Sequence, residues 1–159
     1  MKFTVKTSNI KGKGCFATKN IKEGEFITKF LGKRFTCEGI NKRIEQGLRI
    51  DDPIQIGEDL FIEIEGPQLF FNHSCDPNSG VRGLNKLIAI KDISKGEEIT
   101  FDYSSTVGKN INYWDMDCKC NSPDCRKKLG NIKTIPKQKI KEYFKAGILQ
   151  DFIRKQLEK

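Results

Sequence analysis

Phe3 and Val5 alternate with polar neighbours at the start of the chain, the period-two pattern of a half-buried strand, and Lys11-Gly12-Lys13-Gly14 then reads as a turn. Alternation returns in DLFIEIEG (59–66), where Leu60, Ile62 and Ile64 fall on one side. Between them the period changes. In TCEGINKRIEQG (36–47), Ile40 and Ile44 share a helical face, Thr36 is placed to cap the helix and Gly47 to end it. Two segments, ATKNIKEGEFIT (17–28) and AIKDISKGEEIT (89–100), agree at seven of twelve positions. Each runs from an apolar strand end through a glycine turn into a second strand, which predicts two similar hairpins; one repeat at that distance does not indicate a solenoid. Near the end, Pro136 opens a helical stretch with Ile140, Tyr143 and Phe144 on one stripe; Gly147 interrupts it, and Leu149, Phe152, Ile153 and Leu157 resume the pattern. The chain therefore reads as small strands and turns with helices at the end.

A length of 159 residues fits one domain, and 36% hydrophobic content gives it a modest core. No apolar run reaches the roughly 18 residues of a membrane span, and MKFTVKTSNIKGKG lacks the apolar segment of a signal peptide, so the expectation is a soluble intracellular protein. The net charge of +8 sits entirely in residues 118–159, which hold 12 Lys and Arg against 4 Asp and Glu. An acidic partner would bind there. Because 23 of the 29 basic residues are lysine, a solvated helix face is favoured over a nucleic-acid surface, which mixes in arginine and aromatics. The two apolar stripes favour docked helices over a disordered tail.

Cys118-Lys-Cys-Asn-Ser-Pro-Asp-Cys125 packs three of the six cysteines into eight residues. In a reducing compartment that spacing points to metal before disulfides, and three ligands need a fourth. The segment FFNHSCDPNSG (70–80) holds the only histidine, His73, two residues from Cys75. By itself it could be an Asx-rich turn with a satisfied histidine, a Cys–His nucleophile pair or part of a metal site. Gly12-Lys13-Gly14 alone is a hairpin turn without phosphate-loop spacing, and GEEITFDY (96–103) alone is a turn and a strand.

In this order, GKGCF (12–16), NHSCDPN (72–78), GEEITFDY (96–103) and Cys-x-Cys-x4-Cys (118–125) resemble the SET-domain protein-lysine methyltransferases, in the compact stand-alone form with a post-SET zinc motif. The resemblance covers about residues 3 to 130. It implies a mainly β fold, a β-clip of several small curled sheets with a pseudoknot-like threaded segment, and short helices in the insert and at the C-terminus. It also implies a SET domain over 1–108, a post-SET zinc segment over 109–130 and a C-terminal helical extension over 131–159.

The activity implied is methyl transfer from S-adenosylmethionine to a lysine of a histone-like or other basic protein. Tyr103 matches the catalytic tyrosine, and Phe101, Tyr103 and Trp114 match the substrate-lysine channel, with Phe101 leaving room for more than one methyl group. Gly12, Lys13, Gly14, Asn72, His73 and Tyr103 match cofactor-binding positions. Cys75, Cys118, Cys120 and Cys125 match a closed structural zinc site, which leaves His73 as neither base nor ligand and Cys15 and Cys37 as small buried residues. Three places depart from the family pattern: Lys29-Phe30-Leu31-Gly32 replaces Glu-Tyr-x-Gly, Leu69-Phe70 replaces Arg-Phe, and Asn121 replaces a glycine at a position of positive φ. The implied location is cytoplasmic in a prokaryote, or nuclear and chromatin-associated in a eukaryote or a host. A catalytically silent SET-like binding module and a zinc-clamped nucleic-acid binder using the basic tail are the alternatives.

Overall fold

The computed structural model of the protein describes residues 1–47 and 53–158, without the Ile44 side chain of the expected helical face. The chain opens on the antiparallel pair β1 (Phe3–Thr7) and β2 (Lys13–Ala17), then β3 (Phe26–Lys29) and β4 (Gly32–Phe35). Helix α1 (Cys37–Glu45) follows. Thr36 Oγ1 accepts from the Gly39 amide at 3.1 Å as the cap, and the chain leaves through Gly47 at φ 72°. Strands β5 (Pro53–Gly57) and β6 (Leu60–Ile64) form a hairpin. Phe61 is buried as well as Ile62 and Ile64, so β6 is covered on both faces and not on the alternating side alone.

A 3-10 turn (Gly66–Phe70) leads to β7 (Asn72–His73), then the hairpin β8 (Ser79–Gly83) and β9 (Lys86–Ala89), then β10 (Glu98–Phe101) and a 3-10 turn at Tyr103–Thr106. Short strands β11 (Met116–Asp117) and β12 (Lys128–Leu129) pair around the cysteine segment. The chain ends in α2 (Lys137–Lys145), β13 (Leu149–Gln150) and α3 (Asp151–Glu158). Among the described residues the sheets have orders β1-β2-β10-β7, β13-β8-β9-β3, β4-β6-β5 and β11-β12.

The internal repeat does not make two hairpins. Its copies pair with each other: Ile21 bridges Ile93, the Gly24 amide donates to the Ala89 carbonyl, and the Gly96 amide donates to the Ala17 carbonyl. Consequently β2 joins β10 from the second copy, and β9 joins β3 from the first. Gly24 and Gly96 adopt matching positive φ of 84° and 88°. The reason is geometric: each connection is too long for a tight hairpin, so its backbone groups find partners in the other copy.

The main core is formed by the first three strand systems and includes Phe3, Phe30, Phe71, Leu87, Ile99 and Phe101. A second cluster joins Tyr143, Ile148, Leu149, Phe152 and Ile153 of the last elements to Ile132 and Ile135. Leu149 does not resume a helix directly; Leu149–Gln150 first adds to β8 in parallel, and α3 starts after it. Gly80 makes this possible, because a Cβ there would lie 2.2 Å from Ile148 Cδ1. Arg82 donates to the carbonyls of Gly147 and Ala146 at 2.7 and 3.1 Å, placing a cation at the end of α2 where its dipole is negative. Among the described residues no helix is long and apolar enough to cross a membrane.

Candidate active site and metal centre

Strand β10 pairs parallel with β7, setting Thr100 opposite Asn72 and Phe101 opposite His73. Two motifs far apart in sequence thus lie side by side. Just past β10 the Tyr103 hydroxyl donates to the Phe71 carbonyl at 2.7 Å, while the Tyr103 amide donates to His73 Nδ1 at 3.2 Å. The ring is held at both ends. It packs 4.9 Å from Phe101, which in turn lies 5.4 Å from the fully buried Phe30. The departure at position 30 therefore adds an apolar ring, without a hydroxyl, behind Phe101.

The Asn72 side chain is spent on structure. Its amide nitrogen faces four oxygens: Glu98 Oε1 at 2.7 Å, the Lys13 carbonyl at 2.9 Å, Ser8 Oγ at 3.2 Å and the Lys11 carbonyl at 3.4 Å. This ties the Lys11–Lys13 turn to β7, and residues of both segments line the cavity. Gly12 is needed for its φ of 50°. Gly14 is needed for another reason than the one its motif suggested. It does not line the cavity, and a Cβ there would fall 2.1 Å from the Glu98 carboxylate, which in turn accepts from Ser8 Oγ at 2.8 and 2.9 Å.

A cavity of about 870 Å³ runs past these groups. Its wall includes Gly12, Lys13, Asn72, His73, Phe101, Tyr103 and Trp114, and extends to Ile40 of α1 and to Pro53, Ile54 and Gln55 of β5. That volume suits a cofactor-sized ligand and a lysine chain together. Lys13 lies 5.2 Å over the Phe70 ring at one margin, and Tyr113 is 79% exposed at another.

The cysteine segment closes on the same region. Ligand atoms of His73, Cys75, Cys118 and Cys120 all lie within 4.8 Å of one another. The Cys75 and Cys118 sulfurs are 3.8 Å apart; a tetrahedral zinc with Zn–S bonds of about 2.3 Å requires an edge of about 3.8 Å. The amides of Cys75 and Arg126 point at the sulfurs of Cys120 and Cys75 at 3.5 and 3.4 Å, as amides do toward thiolates. Burial pushes the Cys120 thiol up, but the Cys75 amide, the Ser122 hydroxyl and amide, and the Cys118 thiol outweigh it and bring it down to about 6. Burial raises Cys75 and Cys118. Cys125 sits beside the group, its sulfur 3.7 Å from the Cys118 carbonyl oxygen.

His73 is the unexpected member of this cluster. Its Nε2 is 3.2 Å from Cys75 Sγ. Burial, reinforced by Arg126, lowers its pKa to about 3, so the ring is neutral. Its Nδ1 lies 3.2 Å from the Tyr103 amide and 3.7 Å from Asp102 Oδ1, while Nε2 faces the Cys75 sulfur. The group that lies close enough to share a metal is thus His73, Cys75, Cys118 and Cys120, with Cys125 outside it.

Asn121 adopts φ 57°, as expected where glycine is replaced. Cys15 is fully buried, its thiol pushed up to about 12 by burial and then by Glu98. Cys37 is only half-buried, and burial followed by Asp59 raises it. Sequence reasoning passed over Asp102 and Arg126. Asp102 is 1% exposed beside Tyr103, and Arg126 Nη2 meets its Oδ1 at 2.6 Å. Asp102 lies within GEEITFDY, and Arg126 directly follows the last motif cysteine.

Comparison with known proteins bears on what this arrangement is. The family model described as "SET domain" matches residues 12–104. The "Variant-silencing SET domain-containing protein" of Plasmodium falciparum is 34% identical over 76% of this chain and 5% of its own length. The "Histone-lysine N-methyltransferase, H3 lysine-9 specific dim-5" of Neurospora crassa is 30% identical over 73% of this chain and 47% of its own. The chain thus spans less than half the length of either relative. Among solved structures, the Chaetomium thermophilum complex titled "ctPRC2 in an autoinhibited conformation bound to S-adenosylmethionine" matches 65% of this chain and 15% of that one, with a TM-score of 0.57 and 25% identity.

Proposed function

Because this chain belongs to the SET-domain family, we propose that it is an S-adenosylmethionine-dependent protein-lysine N-methyltransferase acting on a histone-like or other basic protein. The observation that carries the reading is the position of Tyr103. Its hydroxyl donates to the Phe71 carbonyl, and the residue lines a cavity shared with Gly12, Lys13, Asn72 and His73 at one part and Phe101 and Trp114 at another.

When bound, S-adenosylmethionine supplies a sulfonium methyl group that passes to a neutral lysine amine. The residues' work is alignment and deprotonation. The backbone of Gly12, Lys13, Asn72 and His73 would hold the cofactor, and the channel of Phe101, Tyr103 and Trp114 would take the lysine. A lysine amine with an ordinary pKa near 10.4 must arrive without its proton, and desolvation by Phe101, backed by Phe30, favours that form. The Tyr103 oxygen would orient the amine for in-line attack on the methyl group, with the thioether product leaving on the cofactor side. A phenylalanine at 101 leaves space for a second or third methyl group.

Cys75, Cys118 and Cys120 would hold zinc in a closed structural site, with Cys125 as the fourth ligand on the family pattern and His73 the alternative that lies within reach. On this reading 1–108 is the catalytic unit, 109–130 the zinc segment and 131–159 an extension docked on both. The relatives' names place histones among their substrates, so chromatin is the compartment to examine first. Labelled S-adenosylmethionine with a histone mixture, followed by mass spectrometry of lysines, tests the proposal; absence of transfer by folded, zinc-loaded protein to histones and to a whole lysate would sink it.

A further inference from the structure

Asp102 joins three segments that are remote in sequence. Its Oδ1 accepts from Arg126 Nη2 at 2.6 Å and from the Ser104 amide at 3.1 Å, and its Oδ2 accepts from the Tyr143 hydroxyl at 3.0 Å. Its own carbonyl accepts from the Ser105 hydroxyl and amide. The first partner follows Cys125, the second belongs to the turn that begins at Tyr103, and the third lies on α2, outside the matched family region.

Burial holds the carboxyl above its ordinary value, with Arg126 and Tyr143 opposing part of that shift. Three donors aimed at two oxygens leave neither oxygen unsatisfied. The Arg126 backbone amide simultaneously faces Cys75 Sγ, so the residue that neutralises Asp102 also touches the cysteine cluster. Removing the Tyr143 hydroxyl would leave a buried carboxylate oxygen without its donor, a large cost for one atom.

We propose that Tyr143 of α2 is a positioning residue for the Tyr103 site: its hydroxyl, with Arg126, fixes the Asp102 carboxylate, and that carboxylate holds the Tyr103–Thr106 turn and the zinc segment in register with each other. Helix α2 is then part of what keeps the site assembled. This inference rests on the methyltransferase reading for its kinetic consequence, but its structural core does not depend on it. The extension is well placed for the task, since Arg82, Gln150 and Gln156 also bond it to the body of the fold.

The test uses the full chain with Tyr143→Phe, which keeps the ring and its packing. Its comparator is Ile153→Val, a trimming of the same apolar cluster that touches none of the polar junction. The two are compared at temperatures equally far below their own Tm. Three readouts are taken: zinc release to a chelating dye, hydrogen exchange of the 102–106 amides, and the kcat and KM of methyl transfer. Tyr143→Phe should release zinc and exchange those amides at least fivefold faster than Ile153→Val, and should lower kcat about tenfold with little change in KM. If the two variants match in zinc release and exchange, the junction is overturned, whatever the activity. If the wild type transfers no methyl group, the function reading falls, while zinc release and exchange still decide the junction.

Discussion

Replacing Asn72 with alanine probes how the cofactor side of the cavity is built. Two amide protons serve four oxygens, and the two shortest contacts are to the Glu98 carboxylate at 2.7 Å and the Lys13 carbonyl at 2.9 Å. A hydrogen bond to a charged group contributes about 1.5–3 kcal/mol and a neutral one about 0.5–1.5, and the acceptors left behind lose their donor, so the loss should be about 2–4 kcal/mol. In a domain of this size that corresponds to a fall in Tm of about 5–12 °C. The second consequence is local. Without Asn72 the Lys11–Lys13 turn is no longer fastened to β7, and its backbone should lose its fixed approach to the ligand. Scanning calorimetry and titration with S-adenosylmethionine measure the two effects separately. Asn72→Ala should lower Tm in that range and weaken cofactor binding about tenfold or more. An unchanged Tm would refute the buried-tether argument, and a lowered Tm with wild-type affinity would show that the turn does not contribute to the binding site.

The zinc assignment predicts one metal per chain in elemental analysis, lost in Cys75→Ser together with methyl transfer, whereas Cys15→Ser, whose sulfur faces the Pro67 carbonyl at 3.4 Å, should keep both. Equal zinc content in the Cys75 variant and the wild type would remove Cys75 from the ligand set. Gly80→Ala forces a Cβ to 2.2 Å from Ile148 Cδ1, which overpacks the seam between β8 and the C-terminal elements and should cost about 1–3 kcal/mol in chemical denaturation. Adding Ile148→Ala should recover part of that loss, and strictly additive losses would show that the two positions do not meet.

Local pattern made some of this legible and left other parts out of reach. The β1 alternation, the Thr36 cap and the helix ended at Gly47 are short-range effects, and the structure has each of them. The repeat at 17–28 and 89–100 was visible, but its pairing was not, because sequence similarity does not say whether a strand folds back on itself or crosses to its twin. Leu149–Gln150 looked helical since period alone cannot register a parallel partner such as β8. The motif order drew attention to Asn72, His73, Tyr103 and the cysteines, which lie in one region of the fold, but it did not show that Gly14 packs against Glu98. The contact between His73 and Cys75, and the meeting of Asp102, Arg126 and Tyr143, depend on rotamers and long-range closure that no linear motif encodes.

The central claim is that Tyr103 serves a methyl transfer within this cavity. The measurement that tests it most directly incubates wild type and Tyr103→Phe with labelled S-adenosylmethionine and a histone mixture, after calorimetry has shown that both bind the cofactor. Loss of one orienting hydroxyl at the reacting centre should slow transfer about 100-fold or more. The account predicts label on lysine side chains with the wild type and almost none with Tyr103→Phe. Equal labelling by the two proteins, or no labelling by a wild type that binds the cofactor, would contradict it.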